Sequence, residues 1–409
     1  MADDSLLAGQ RVLDLADAQG AYCGRVLADL GANVVKIEPL GGSAYRGDGP
    51  FLDGAPHKER SLWAWAADAG KRSITLDTST PTGLALLHRL AVGADYVIAP
   101  SAPHALERLG LDEASRAQGY PRLIAVAVTA FGSEGPYAGY AGPDLVAMAM
   151  GGFMYSSGDD DRPPLTFSVP QACLHAGAEA AAGALFANLH RQRTGRGQRV
   201  DVSAQEAVLW TLMNTNQFWD AMRVDVRRGG AVRRRPDGAR LRVHWRCKDG
   251  YVTFVGRGDW KGLAAWMQAE GFSRDPVLER DWSTVQPWSL TQDDLDRLEP
   301  LAEPFFAQRT VEEMYQGAVQ WRFILYPVYT VADLMGYRQL VERRFFVEVA
   351  HEDVRRAVTY PGPFVRTSHG EPRIRGRAPH AGEHNREIYQ GELGLSGREM
   401  AMLRAGGVI

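Results

Sequence analysis

Cysteine is scarce: among 409 residues only Cys23, Cys173 and Cys247 occur. None falls into a CxxC pair or a Cys/His ligand spacing, so the sequence supports neither a disulfide framework nor a zinc site, and reduced thiols are expected. Long apolar runs are missing too. No stretch reaches the roughly eighteen apolar residues a membrane helix needs, and Met1 to Leu6 is acidic, unlike a signal leader. A cytoplasmic protein with no metal and no membrane partner is the expectation. Nor is there an excess of one charge: 46 Lys and Arg face 49 Asp and Glu, a formal net charge of −3. That removes any global pull toward nucleic acid, so a polyanion site must be local. Internal repeats and low-complexity tracts are absent.

What is present reads as alternating strands and helices. Gln10 to Leu15 is a short apolar run, Ala21 to Leu30 has helical spacing with Gly31 as its stop, and Asn33 to Ile37 is a second strand closed by Glu38. This βαβ order resembles a dinucleotide-binding half, with an acid where a ribose could sit. The glycine fingerprint itself fails, because the turn reads Asp17-Ala-Gln-Gly-Ala-Tyr-Cys-Gly24. Further strands are expected at Lys71 to Ser79, Tyr96 to Ile98, Leu123 to Val128 and Arg199 to Ser203. Together they predict a parallel, doubly wound sheet over roughly the first 200 residues. At 409 residues the chain exceeds a single core. The predicted division is 1–220 as a large Rossmann-like domain, 221–325 as a small α/β domain, and 326–409 as a linker and C-terminal return to the large domain.

Two stretches carry candidate chemistry on their residues alone. Lys71-Arg-Ser-Ile-Thr-Leu-Asp-Thr-Ser79 is a strand led by two cations, followed by Thr80 as helix cap and Pro81 at the first helical position. A strand end that meets a helix start offers N–H groups and cations to phosphate, although a solvated strand end would look the same. The second is Pro163 to Val200. Leu174, Ala178, Ala181, Leu185 and Leu189 recur at helical spacing, predicting a buried helix of about sixteen residues. Pro163, Pro164 and Pro170 force an extended approach to it, and Thr194-Gly-Arg-Gly-Gln198 is the turn that ends it. A third stretch stands out by charge: between Arg223 and Asp249, ten Lys and Arg meet three Asp. Trp245 alone does not supply the aromatic interleaving of a nucleic-acid surface. The stretch reads as a basic loop beside an anionic ligand, or as a solvated face.

These motifs coincide in one pattern. VLDL with Gln19, LGANVVKIE, KRSITLD, GPYAGYAGPDLVAMAMGG, RTGRGQRVDVS, and the closing GEHN and LRAGGVI resemble the family III CoA-transferases over the whole length. That group includes formyl-CoA transferase, carnitine CoA-transferases and α-methylacyl-CoA racemase. The resemblance implies a Rossmann-like large domain made from both chain ends, a smaller inserted α/β domain, and two chains interlocked as a dimer. It implies coenzyme A near Gln19, near the strand end carrying Leu76, Asp77 and Ser79, and near Arg108. It also strengthens the phosphate reading of Lys71 and Arg72. The partners it implies are an acyl-CoA and a small carboxylate.

Known transferases of this family attack the acyl-CoA carbonyl with an aspartate, giving an acyl anhydride and CoA thiolate. Counting back from Thr194, that position holds Cys173, with Gln171 and His175 beside it. The His-Asp pair of the racemases is Pro143-Asp144 here. Three expectations follow. The chain is a transferase in which Cys173, Asp144 or His175, the last oriented by Glu179, replaces the aspartate. Or it moves a proton α to a thioester with His175 and Asp144. Or it is a non-catalytic CoA-binding subunit paired with an aspartate-bearing paralogue.

Overall fold

A computed structural model describes residues 4–235, 237–254, 256, 260–285 and 289–409. The chain divides into two compact units, one of Met1–Phe153, Phe167–Leu212 and Glu342–Ile409, the other of Met154–Thr166 and Met213–Val341. The first unit is built on six strands: β1 (Arg11–Asp14), β2 (Asn33–Glu38), β3 (Arg72–Thr75), β4 (Tyr96–Ile98), β5 (Ile124–Thr129) and β6 (Arg199–Ser203). They lie in the order β3-β2-β1-β4-β5-β6, all parallel, which is the doubly wound order with its switch point between β1 and β4. β5, IAVAVT, is buried at every residue, as a central parallel strand covered on both faces must be.

The helices of this unit are α1 (Ala21–Asp29), α2 (Leu62–Asp68), α3 (Pro81–Ala91), α4 (Ala105–Arg108), α5 (Glu113–Gly119), α6 (Asp144–Met150), α7 (Ala172–Thr194) and α8 (Ala204–Trp210). α3 starts as its sequence dictates: the Thr80 hydroxyl accepts from Gly83 N–H and Pro81 sits in the first turn. The chain end returns to the sheet. Ile388, Tyr389, Val408 and Ile409 join Leu13, Val35, Ile37, Ile74 and Leu87 in one apolar cluster, and Asp77 N–H donates to the Val408 carbonyl.

The strand alternation that buries Leu13, Val35, Ile37 and Ile74 on that face turns Asp14, Lys36, Glu38, Ser73 and Thr75 to the other. There they form a fully enclosed polar layer. Asp14 stands opposite Lys36 and accepts from Lys71 Nζ at 2.7 Å, while Lys71 also reaches Asp68 at 3.0 Å. Glu38 takes Arg46 Nε at 2.7 Å and Nη2 at 2.8 Å, the Ser73 hydroxyl at 2.6 Å and the Ser43 N–H at 2.8 Å. The acid that closes β2 therefore faces an arginine and is buried rather than open to a ribose, in keeping with the failed glycine fingerprint.

α7 differs from its sequence prediction in length and in face. It spans 23 residues. The side it buries is Ala172, Cys173, Ala176, Gly177, Ala180, Ala184 and Ala187, whereas Phe186 is 72% and Leu189 49% exposed. α1 is the reason. The two helices approach so closely that a Cβ on Gly177 would stand 2.8 Å from Tyr22 Cβ, a distance real side chains do not reach. Only small residues fit that seam, and the large ones are turned outward. Gly195 closes the helix in the left-handed region at φ 76°, its N–H returning to the Arg191 carbonyl.

The second unit carries α9 (Thr215–Met222), a hairpin of β7 (Val232–Arg234) and β8 (Arg240–Arg242), and an antiparallel sheet of β9 (His244–Arg246), β10 (Tyr251–Phe254) and β11 (Leu325–Pro327). α10 (Trp260–Ala269), α11 (Gln292–Ala307) and α12 (Val311–Trp321) pack with it. Trp245, Phe254, Trp260, Phe305 and Phe306 fill its core, with Trp245 stacked on Phe306 at 4.8 Å. β9 and β10 pair as an antiparallel hairpin across Cys247 to Gly250.

The Glu38 pair sets an acid dependence. Burial alone would raise this carboxyl, but the hydrogen bonds and charge of Arg46, with Ser73 and Ser43, outweigh it and lower it from 4.5 to about 2. A depressed carboxylate contributes stability above its unfolded value and loses it as pH falls toward the folded one. We expect roughly 3 kcal/mol of the stability at pH 7 to disappear between about pH 5 and pH 2. Glu38→Gln should flatten that limb of the urea-unfolding free energy against pH; an unchanged limb would show that Glu38 does not drive it.

Candidate active site

Gln19 and Asp144 follow the carboxyl ends of β1 and β5, where open α/β sheets hold ligands, whereas Lys71 and Arg72 stand at the amino end of β3. The loop from β1 to α1 is fixed at both ends. Lys36 Nζ donates to the Ala16 carbonyl and Lys71 Nζ to the Ala21 carbonyl at 3.0 Å. Between these anchors Asp17 accepts from Ser101 N–H and hydroxyl, and from Gln19 N–H. The Gln19 side chain, 8% exposed, donates through Nε2 to the Gly142 carbonyl. Gln19 thus touches the segment that begins α6 two residues later with Asp144.

Asp144 in turn reaches the start of α7. Its Oδ1 accepts from Cys173 N–H at 2.9 Å and its Oδ2 from Gln171 N–H at 3.3 Å. Gln171 itself supplies no capping side chain, so the cap comes from a residue 29 positions earlier in the chain than Cys173. A carboxylate at a helix N-terminus satisfies orphan donors and meets the positive end of the dipole. Cys173 is 4% exposed. Burial raises its thiol well above the ordinary range, and the Asp144 charge and hydrogen bond raise it further. The carboxylate beside it opposes the activation a helix start would give a thiol, so burial and Asp144 both favour the protonated side chain. Cys23 is likewise raised by burial, and Cys247 is raised to about 11 by burial and by Asp249.

His175 lies one turn into α7 and is half-buried, with its N–H in the helix ladder to Gln171. Among the described residues no hydrogen bond joins it to Glu179, whose carboxyl is raised by burial and by Glu206 on α8. The expected orienting pair does not form.

At the expected phosphate cradle the donors are engaged by the protein's own groups. Lys71 is wholly enclosed and its three donors go to Asp14, Ala21 and Asp68, leaving none for a ligand. Arg72 is paired with Glu387 and Glu392 and bonded to Asn33. The N–H groups of Leu76, Asp77, Ser79 and Thr80 are used by Glu38, Val408, the Asp77 side chain and the Asp77 carbonyl. Arg108 is exposed at the end of α4, donating to the Pro103 carbonyl, beside a recess at the ends of β4 and β5 lined by Ala99, Pro103, Glu107, Thr129 and Arg199. The Thr129 hydroxyl there is buried with no partner. Among the described residues no group of three or more His, Cys, Asp or Glu could hold a metal ion, and no helix is long and apolar enough to cross a membrane.

The family model for CoA-transferase family III matches residues 7–385. The chain belongs to this family. A CoA-transferase family III relative, succinyl-CoA:(R)-benzylsuccinate CoA-transferase subunit BbsE of Thauera aromatica, is 32% identical over 97% of both chains. Formyl-CoA:oxalate CoA-transferase of Streptomyces avermitilis is 30% identical over 98% of this chain and 99% of its own. Among solved structures, a CAIB/BAIF family protein from Brucella suis superposes with a TM-score of 0.81 at 27% identity, covering 95% of this chain and 99% of that one. Membership supports CoA-transferase activity with coenzyme A as a substrate group, and it accords with the Rossmann-like sheet.

The protonated, capped state of Cys173 is directly testable. In native protein at pH 8 Cys173 should resist iodoacetamide while urea-unfolded protein is alkylated at all three cysteines, read by peptide mass. Asp144→Ala should lower the unfolding free energy by about 1–2 kcal/mol, the usual loss of a helix cap. Rapid native alkylation of Cys173 would instead reveal an accessible thiolate.

Proposed function

We propose that this chain is one half of a CoA-transferase that moves coenzyme A from an acyl-CoA to a free carboxylic acid, the attacking carboxylate coming from a second, related chain. The observation that carries this reading is the start of α7. Cys173 stands there buried and protonated, and both oxygens of the nearby Asp144 carboxylate are engaged by main-chain N–H groups. A carboxylate that attacks the thioester carbonyl forms an acyl anhydride and releases CoA thiolate, which re-enters at the carbonyl of the acceptor acid. Neither side chain here is free to begin that sequence.

Two further points favour a mixed assembly. Phe186, Leu189 and Trp210 of α7 and α8 are 72%, 49% and 65% exposed, an apolar face suited to another chain. Several relatives are named as subunits: BbsE, and the alpha and beta subunits of succinyl-CoA–L-malate CoA-transferase of Chloroflexus aurantiacus, 27% and 28% identical over 98% of this chain. Their names, with that of succinyl-CoA–D-citramalate CoA-transferase at 31% identity, point to succinyl-CoA as donor and dicarboxylic acids as acceptors. In this reading Gln19 and Arg108 hold CoA.

The test is exchange of CoA between succinyl-CoA and a panel of carboxylic acids, followed by chromatography of the thioesters. The chain alone should be silent. Mixing it with an aspartate-bearing family member from the same genome should give turnover. Cys173→Asp should confer exchange on the chain alone, because it restores the carboxylate. Full activity of the unmixed wild type, abolished by Asp144→Asn in folded protein, would overturn the reading and make Asp144 the reacting group.

A further inference from the structure

The arginine-rich stretch has no part in the transfer chemistry above, yet it builds a pocket within the second unit. Tyr155, Asp160, Arg227, Arg228 and Arg234 line a recess of about 520 Å³. Arg228 is the fixed element. Its Nε donates to the Asp159 and Arg162 carbonyls at 3.0 and 3.1 Å, its Nη1 to the Tyr155 carbonyl at 3.4 Å, and its Nη2 to the Arg162 carbonyl at 2.8 Å. The guanidinium lies 5.8 Å from the Tyr155 ring centre. Main-chain carbonyls orient it without neutralising it, and one hydrogen on each terminal nitrogen is left over.

The surrounding charges do not cancel. Asp160 is shared by Arg234 and, at 3.7 Å, by Arg240. Asp225 accepts the Tyr155 hydroxyl at 3.0 Å, with Arg227 Nε 4.0 Å from the same oxygen. The lining sets the one carboxylate of Asp160 against the three guanidiniums of Arg227, Arg228 and Arg234, and the adjoining Asp225, Arg240 and Asp159–Arg162 charges balance one another, so the recess keeps a net positive charge. A solvated face of independent arginines would not hold one of them rigidly over an aromatic ring inside a concave surface. We propose that this recess binds a small multivalent oxyanion, such as a dicarboxylate or a pyrophosphate group. Convergent planar guanidiniums are matched to both.

This site stands on the second unit alone and needs no transfer chemistry, so silence in the exchange assay leaves it intact and its failure leaves the exchange reading intact. Calorimetric titration of the full chain at low salt, with succinate and separately with inorganic pyrophosphate, provides the test. At least one should bind saturably, more weakly as salt is raised. Saturation by succinate alone identifies a carboxylate site, by pyrophosphate alone a phosphate site. Arg227→Gln with Arg234→Gln, both on exposed side chains, should weaken that binding about 10-fold or more with the melting temperature retained; Arg227→Gln alone should give a smaller loss. Absence of binding by both anions, or undiminished binding in the double variant, overturns the proposal.

Discussion

The buried ion layer on one face of the large sheet governs where the candidate site stands. Asp14, Lys36, Lys71 and Asp68 are closed off from water, and each compensates another. Ionised groups in such a place are retained only when paired and fully hydrogen-bonded. Here the spare donors of the two lysines go to main-chain carbonyls at Ala16 and Ala21, the two ends of the β1–α1 loop. The loop that carries Asp17 and Gln19 is therefore set by the same charges that the sheet must bury. Replacing the layer with apolar residues of equal volume could preserve stability, but it would lose that anchorage.

A second constraint is the close seam between α1 and α7. It demands Ala, Gly and Cys on the inner face of α7 and brings the helix start against the segment beginning α6. Asp144 then serves the helix as its cap, and Cys173 fills space beside it. The chemical consequence is local: the helix start presents a buried thiol whose neighbour is another residue's carboxylate. The large side chains displaced from the seam, Phe186 and Leu189, stand exposed on the outer face of α7.

Much of the frame was legible without coordinates. The strands, their order of appearance, the Thr80-Pro81 helix start and the glycine that ends α7 all rest on period-two burial, capping and φ preference, which act over a few residues. The family was legible as well, because its motifs coincide along the whole length. The enclosed polar face was missed although its signal was present: Asp14, Lys36, Glu38 and Ser73 occupy the same alternate positions of three adjacent strands, a pattern better suited to ion pairs than to solvated strand ends.

The sequence by itself determined the α/β class, the family and the absence of an aspartate at the start of α7, since each depends on local residue order. The tertiary structure alone decided three other matters. Periodicity marks two faces of α7 but does not say which meets α1, and steric fit chose the small one. Lys71 and Arg72 carry the same charges in the sequence whether they meet phosphate or carboxylate, and partners from α2 and the returning chain end chose carboxylate. Asp144 and Cys173 are far apart in sequence, and only packing brings that carboxylate to the helix start. Burial and pairing are long-range properties, and they fixed what these residues can do.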